Sequence, residues 1–371
     1  MLVHQECTWN ANSTNITEKT TQATVSHELH RERRRSMNKF FSRAQVYQLE
    51  NVIQTASQKL SKKILSYKGG NALCLAPAYS CFTADVISEY SFGESFGFLD
   101  QPGWEPNYKT SVDILFGFVH IFKLFPFLRY LIELIPLCIS KLASQDIGLV
   151  MHDLKVGFPH KIALARSYSE AESLGGHRTT IFSSLLHDPE LPPSEKATDR
   201  LASEANSIMI GGTESTAVTL SLLTYHLLAN PGELEIIRAE INTVSADEQG
   251  MIPGVMLEKL PYFTAAIQEA LRLVHGISGR AARIAPNEDL IYQRPCDSPE
   301  KSQGGQDCIV IPRGYAIGMS AYLLHTDPQV FPEPHQFRPK RWLDKNGQRN
   351  RDLDKHLFSF GKGSRQCVGM Q

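Results

Sequence analysis

The stretch Phe358-Ser359-Phe360-Gly361-Lys362-Gly363-Ser364-Arg365-Gln366-Cys367-Val368-Gly369 sets three glycines and a basic residue around one cysteine, on a loop that reads as running into a helix. A reactive thiolate needs positive charge and donors nearby, and Gly361, Gly363 and Gly369 would let backbone N–H groups approach a sulfur or a flat cofactor. Competing motifs fail on the letters. A Walker loop requires Ser or Thr directly after Gly-Lys, where Gly363 stands, and a dinucleotide fingerprint requires glycine at Gln366. A lone cysteine in a glycine-rich loop is commonly structural, but the full spacing Phe-Gly-x-Gly-x-Arg-x-Cys-x-Gly is far rarer by chance.

Outward from that loop, the chain reads as globular and mostly helical. Its 371 residues are 42% hydrophobic and 21% charged, which excludes fibrous and wholly disordered classes. Thirty-eight basic residues stand against thirty-nine acidic ones, so the basic excess that nucleic-acid binding needs is absent. The seven cysteines are scattered, with no CxxC pair and no zinc-like spacing, which favours a reducing compartment. Helical periodicity is read over 24–60, 78–92, 233–244 and 256–274, and over more than thirty residues ending at Asn230-Pro231-Gly232. Short β-branched runs at Leu290-Ile291 and Cys308–Ile311 predict a few small strands. The apolar segment 114–137 carries Phe118, Phe122, Phe125 and Phe127 but is interrupted by Lys123, Arg129, Glu133 and two prolines. It reads as buried helices plus a loop, or as a surface that dips into a membrane interface.

Two further patterns stand out on helices. Glu269 and Arg272 lie at i, i+3 on one face, which fits an exposed salt bridge as well as something more specific. Gly211-Gly212-Thr213-Glu214-Ser215-Thr216 falls in the middle of the longest helix, where two glycines cost roughly 2 kcal/mol relative to alanine. Either a neighbouring helix or a ligand must approach the backbone closely there.

The cysteine loop resembles the haem-binding loop of the cytochrome P450 family, and the other motifs follow in that family's order. The resemblance implies that Cys367 is the axial thiolate of a haem iron, with Arg365 facing a propionate and Phe360 beside the sulfur. It implies that Glu269 and Arg272 join Arg341, in Phe337-Arg338-Pro339-Lys340-Arg341-Trp342, in a buried network behind the loop; Lys340 stands where the family often has Glu. Gly211 and Gly212 would then let the oxygen-binding helix pass over the haem, with Glu214 as the acid and Ser215 as the alcohol, Thr216 adjoining. Serine in place of the usual threonine keeps the hydroxyl. His27-x-x-x-Arg31 resembles the family's Trp-x-x-x-Arg helix, and Arg283, with Arg280 as a secondary choice, is the other propionate candidate. The neighbouring Arg33, Arg34 and Arg35 read as a solvated face or a docking site for an acidic electron donor.

What the resemblance implies is an all-α cytochrome P450 fold with small β-sheets. Residues 1–23 would form a poorly defined N-terminal segment and 24–371 the catalytic domain. The usual N-terminal anchor and the part after the Cys loop are expected to be missing. The implied function is a haem b monooxygenase that inserts one oxygen atom from O2 into an apolar small molecule, such as a fungal terpenoid or polyketide. NADPH-cytochrome P450 reductase would supply electrons, and the endoplasmic reticulum membrane is the family's usual location. The rival readings are a truncated, inactive haem-binding remnant and a haem-dependent isomerase or dehydratase.

Overall fold

A computed structural model describes residues 19–67, 72–125, 127–128, 134, 136–137, 140, 145–171, 180–248, 250–276, 281–293 and 308–370. The helices are α1 (His27–Asn38), α2 (Arg43–Gln48), α3 (Glu50–Ser66), α4 (Leu75–Phe92), α5 (Tyr108–Leu124), α6 (Gln145–His152), α7 (Phe158–Ala171) and α8 (Ile181–His187). They continue with α9 (Thr198–Ala229), α10 (Pro231–Ile241), α11 (Gly254–Leu257), α12 (Pro261–Leu273), α13 (Ala321–His325) and α14 (Arg351–Asp354). Two antiparallel ladders complete the fold: β1 (Ala281–Ile284) with β4 (Ala316–Met319), and β2 (Leu290–Gln293) with β3 (Cys308–Ile311). The predicted class, mainly α with small sheets, is the observed one.

The 32-residue α9 is the spine. Its most extensive packing is along α4, and the main apolar core fills the space between them and α7 and α8. There the Phe92 ring stacks on Phe158 and Phe182 at 6.0 and 5.0 Å between centroids. A second apolar cluster holds α12 against the segment around Phe337, and a third gathers Ala265, Phe331 and Trp342. These two smaller clusters carry the region behind the cysteine loop.

Several helix boundaries differ from the periodic pattern. The predicted helix over 24–60 is three helices, with new starts after Ser42 and Leu49, because Phe40 and Leu49 turn inward to the core. The span 256–274 is α11 and α12, divided where Pro261 enters the first turn of a new helix. Pro77 lies inside α4 rather than ahead of it, again in a first turn, where no intrahelical N–H partner is due. The segment 114–137 is helical to Leu124 and again at Phe127, Leu128 and Leu137 among the described residues, and Phe116, Leu124, Phe125, Phe127 and Leu134 are exposed. The side chains of Phe118 and Phe122 lie outside the described residues, as does Arg280. Among the described residues no helix is long and apolar enough to cross a membrane.

Candidate active site

The cysteine loop closes on itself through its backbone. Gly361 donates to Phe358 O at 2.9 Å, a short 3-10 turn spans Gly363–Arg365, and Cys367 N donates to Phe360 O at 2.8 Å. Gly361 and Gly363 have φ of +65° and +79°, the left-handed region in which a side chain is strained, so glycine is required at both. A Cβ at either would meet nothing within 4 Å, which shows that the loop presents an open face. Cys367 is a free, exposed thiol.

Positive charge converges on this loop from three directions. Arg365 donates to the carbonyls of Thr24 and Val25 at 2.5 and 3.1 Å, tying the loop to the chain just before α1. Arg34, on α1, donates to the carbonyl of Gln366, the residue before Cys367. The charge field registers on His30: burial, then Arg365, Arg34, His27 and Arg283, pushes its imidazole down to about 4. Three arginines, from α1, β1 and the loop, with His27 therefore surround one buried histidine. Such a concentration suits a dianionic group, so these residues fit a haem with its two propionates.

Arg31 is not among them. Its side chain is 74% exposed and faces Glu28 at 3.7 Å. The spacing His-x-x-x-Arg recurs three residues later as His30 and Arg34, and of the two arginines it is Arg34 that bonds to the loop. Arg33, between them, is buried: it makes a two-pronged ion pair with Glu195 at 2.7 and 2.9 Å and donates to Thr24 Oγ1. The triplet Arg33, Arg34, Arg35 is thus not one solvated face, since only Arg35 is exposed, pairing with Glu190.

Behind the loop, Glu269 and Arg272 have no exposure and are joined by two parallel bonds of 2.9 and 2.8 Å. Arg341 Nε reaches Glu269 Oε1 at 3.1 Å, so the three residues that the resemblance grouped meet at one carboxylate. Two members escaped the sequence: Trp342 Nε1 donates to Glu269 Oε2 at 2.9 Å, and the backbone N–H of Arg338 donates to Oε1 at 3.0 Å. Burial raises the Glu269 carboxyl, but the Arg272 pair and then Arg338 and Arg341 outweigh it and hold it below its ordinary value. Lys340 is exposed and takes no part.

On α9 the two glycines separate in role. A Cβ on Gly212 would stand 2.8 Å from Ile87 Cγ1, so Gly212 exists for close packing on α4, whereas Gly211 faces open space. Glu214 is buried on the α4 side, accepts from Ser80 Oγ at 2.7 Å, and is pushed up by burial. Ser215 and Thr216 are exposed, with Ser215 Oγ turned back to Gly211 O at 2.7 Å. Among the described residues no hydrogen bond joins Glu214, Ser215 or Thr216 to the cysteine loop; they form a second cluster on the long helix.

The chain thus combines a helical fold, an open glycine-framed thiol, arginines gathered at its loop and a buried Glu–Arg–Arg brace. The chain belongs to the cytochrome P450 family, whose profile matches residues 7–371. It is 40% identical to the cytochrome P450 monooxygenase ppzE of Metarhizium majus, over 95% of this chain and 74% of that one. It is 32% identical to the cytochrome P450 monooxygenase tpcC of Cochliobolus heterostrophus, and 34% identical to the tryptophan 6-hydroxylase fscE of Fusarium equiseti. The match covers 94% of this chain in both cases, and the chain spans 63% and 65% of those relatives' lengths. The family implies a haem-iron cofactor, use of O2 and a redox partner.

Proposed function

We propose that residues 24–371 form the catalytic domain of a haem b monooxygenase that inserts one oxygen atom from O2 into an apolar organic molecule of fungal secondary metabolism, a terpenoid or polyketide. The observation that carries the proposal is Cys367: an exposed thiol on a glycine-framed loop, with the Arg34 guanidinium on the carbonyl before it. Relatives named as monooxygenases support the reaction class.

Haem would supply the activation of O2, for which a thiolate ligand favours O–O cleavage. The chain's own residues divide the remaining work. Cys367 would hold the iron, with the Arg34 guanidinium bonded to the carbonyl of the residue before it. Arg365, Arg34 and Arg283, with His27 and His30, would take the propionate side. Glu214, held by Ser80 and pushed up by burial, would serve as the acid on α9, with Ser215 Oγ or Thr216 Oγ1 as the hydroxyl that relays protons at the open face. Gly211, with nothing near its missing Cβ, would leave room for substrate or cofactor against the helix. Glu269, Arg272 and Arg341 would keep the loop from shifting.

Electrons would come from NADPH-cytochrome P450 reductase at the endoplasmic reticulum. The exposed Phe116, Leu124, Phe125 and Phe127 support a peripheral contact with that membrane. The decisive test is the carbon monoxide difference spectrum of the dithionite-reduced, haem-loaded protein. A strongly red-shifted band that is lost in Cys367→Ala is the expected result; its absence in the parent protein would overturn the assignment of a thiolate-held haem.

A further inference from the structure

We propose that His325 is a positioning residue that transmits the rigidity of the Glu269–Arg272 pair to the cysteine loop, by accepting the N–H that opens the loop. The proposal rests on the reading of Cys367 as the iron's ligand and adds to it a residue that neither the loop motif nor the Glu-x-x-Arg spacing contains.

His325 is the last residue of α13 and has no solvent exposure. Both of its ends are engaged. Its carbonyl accepts from Arg272 Nη1 at 2.7 Å, on the guanidinium that pairs with Glu269. Its ring Nε2 accepts the backbone N–H of Phe358 at 2.9 Å, at the start of the loop that ends with Cys367. A single residue, through its carbonyl and its ring, thus spans the gap between brace and loop. The next residue is fixed to the same helix, since Ser359 Oγ donates to the carbonyl of Leu271 at 2.7 Å on α12. The two adjacent anchors set where the loop departs, nine residues before the thiol.

The chemistry demands a neutral imidazole. With Nε2 accepting, the ring's proton must sit on Nδ1, and a second proton would abolish the acceptor. Burial, followed by the neighbouring His275, pushes His325 down to about 4, which keeps Nε2 available at neutral pH. The ring packs edge-on against Phe331, at 90° and 6.1 Å between centroids, and Phe331 in turn lies under the Arg272 guanidinium at 5.1 Å. Nδ1 finds no hydrogen-bond partner among the described residues. A buried polar ring that leaves one atom unsatisfied is costly where a leucine would pack as well, and what the histidine adds here is the bond to the loop.

Two variants separate the acceptor from the bulk. His325→Gln can present its amide oxygen near the position of Nε2, and His325→Leu fills the space without an acceptor. Amide exchange across 358–367 is read on the full chain, beside the fraction of haem-loaded protein that shows the red-shifted carbon monoxide band. The expected result is about tenfold faster exchange at Phe358 and a loss of most of that fraction in His325→Leu, with both restored in His325→Gln. Unchanged exchange and band in the leucine variant, or equal behaviour of the two variants, would overturn the proposal. Should the leucine variant fail to fold, His325→Asn, polar but too short to reach Phe358, must give the same loss. A parent protein without the red-shifted band would sink the haem reading alone, while the exchange data would still decide the role of His325.

Discussion

Trp342 Nε1 donates to Glu269 Oε2 at 2.9 Å, with neither side chain exposed. Together with Arg272, Arg341 and the Arg338 amide it completes the set of donors around one buried carboxylate. Removing the donor alone, as in Trp342→Phe, should cost about 1–3 kcal/mol, since one acceptor is left short of a partner. Removing the carboxylate, as in Glu269→Ala, should cost more, about 3–5 kcal/mol, because Arg272 would remain as a buried charge without its counter-ion. Denaturant unfolding of both variants checks the order, and equal losses would refute it.

The two glycines of α9 should respond in opposite ways. Gly212→Ala drives a methyl to 2.8 Å from Ile87 Cγ1 and should destabilise by about 1–3 kcal/mol, with Ile87→Val recovering part of the loss. Gly211→Ala meets nothing within 4 Å and should stabilise the helix by up to about 1 kcal/mol. Thermal melts of the three variants are sufficient.

Arg34 and Arg31 differ in the same spirit. If the cationic ring holds a dianionic cofactor, Arg34→Gln should weaken haem retention about tenfold or more, measured by transfer of haem to an acceptor protein. Arg31→Gln, at a side chain 74% exposed, should leave retention near that of the parent. A reversed order would restore the first His-x-x-x-Arg pair as the functional one.

Two buried histidines should make the stability of the haem-free chain fall in acid. His30 and His325 have folded-state values of about 4 against 6.5 for a free side chain, so the unfolded chain binds more protons between those limits. Their contribution is complete above about pH 6.5 and is lost as pH falls toward 4. Glu269 and Glu195, both held below their ordinary range, extend the loss to lower pH. Unfolding free energies at pH 7, 5.5 and 4.5 should show the decline, and His325→Gln should flatten its upper part.

Much of the site was legible because its parts are local. The cysteine loop is defined within twelve residues by two positive-φ glycines and one thiol, and Glu269 and Arg272 share a face by helical spacing alone. The end of α9 was readable at Asn230-Pro231 for the same reason. The single helix read over 24–60 failed because no Gly or Pro marks its breaks, which come from the inward turn of Phe40 and Leu49. Arg33 looked like a surface residue because its partner, Glu195, lies 162 positions away.

That distance also explains the choice among the basic residues of α1. Periodicity states that His27, Arg31 and Arg34 are neighbours on a helix, and nothing in it states which side is turned inward. The Arg33–Glu195 pair, with Arg200 on the same carboxylate, anchors one face of α1 against the start of α9. It is this long-range burial that leaves Arg31 in solvent and brings Arg34 to the carbonyl of Gln366. The residue types and short spacings were written in the chain, and the inward face was decided by packing between segments far apart in it, since only a folded core can offset the cost of burying those charges.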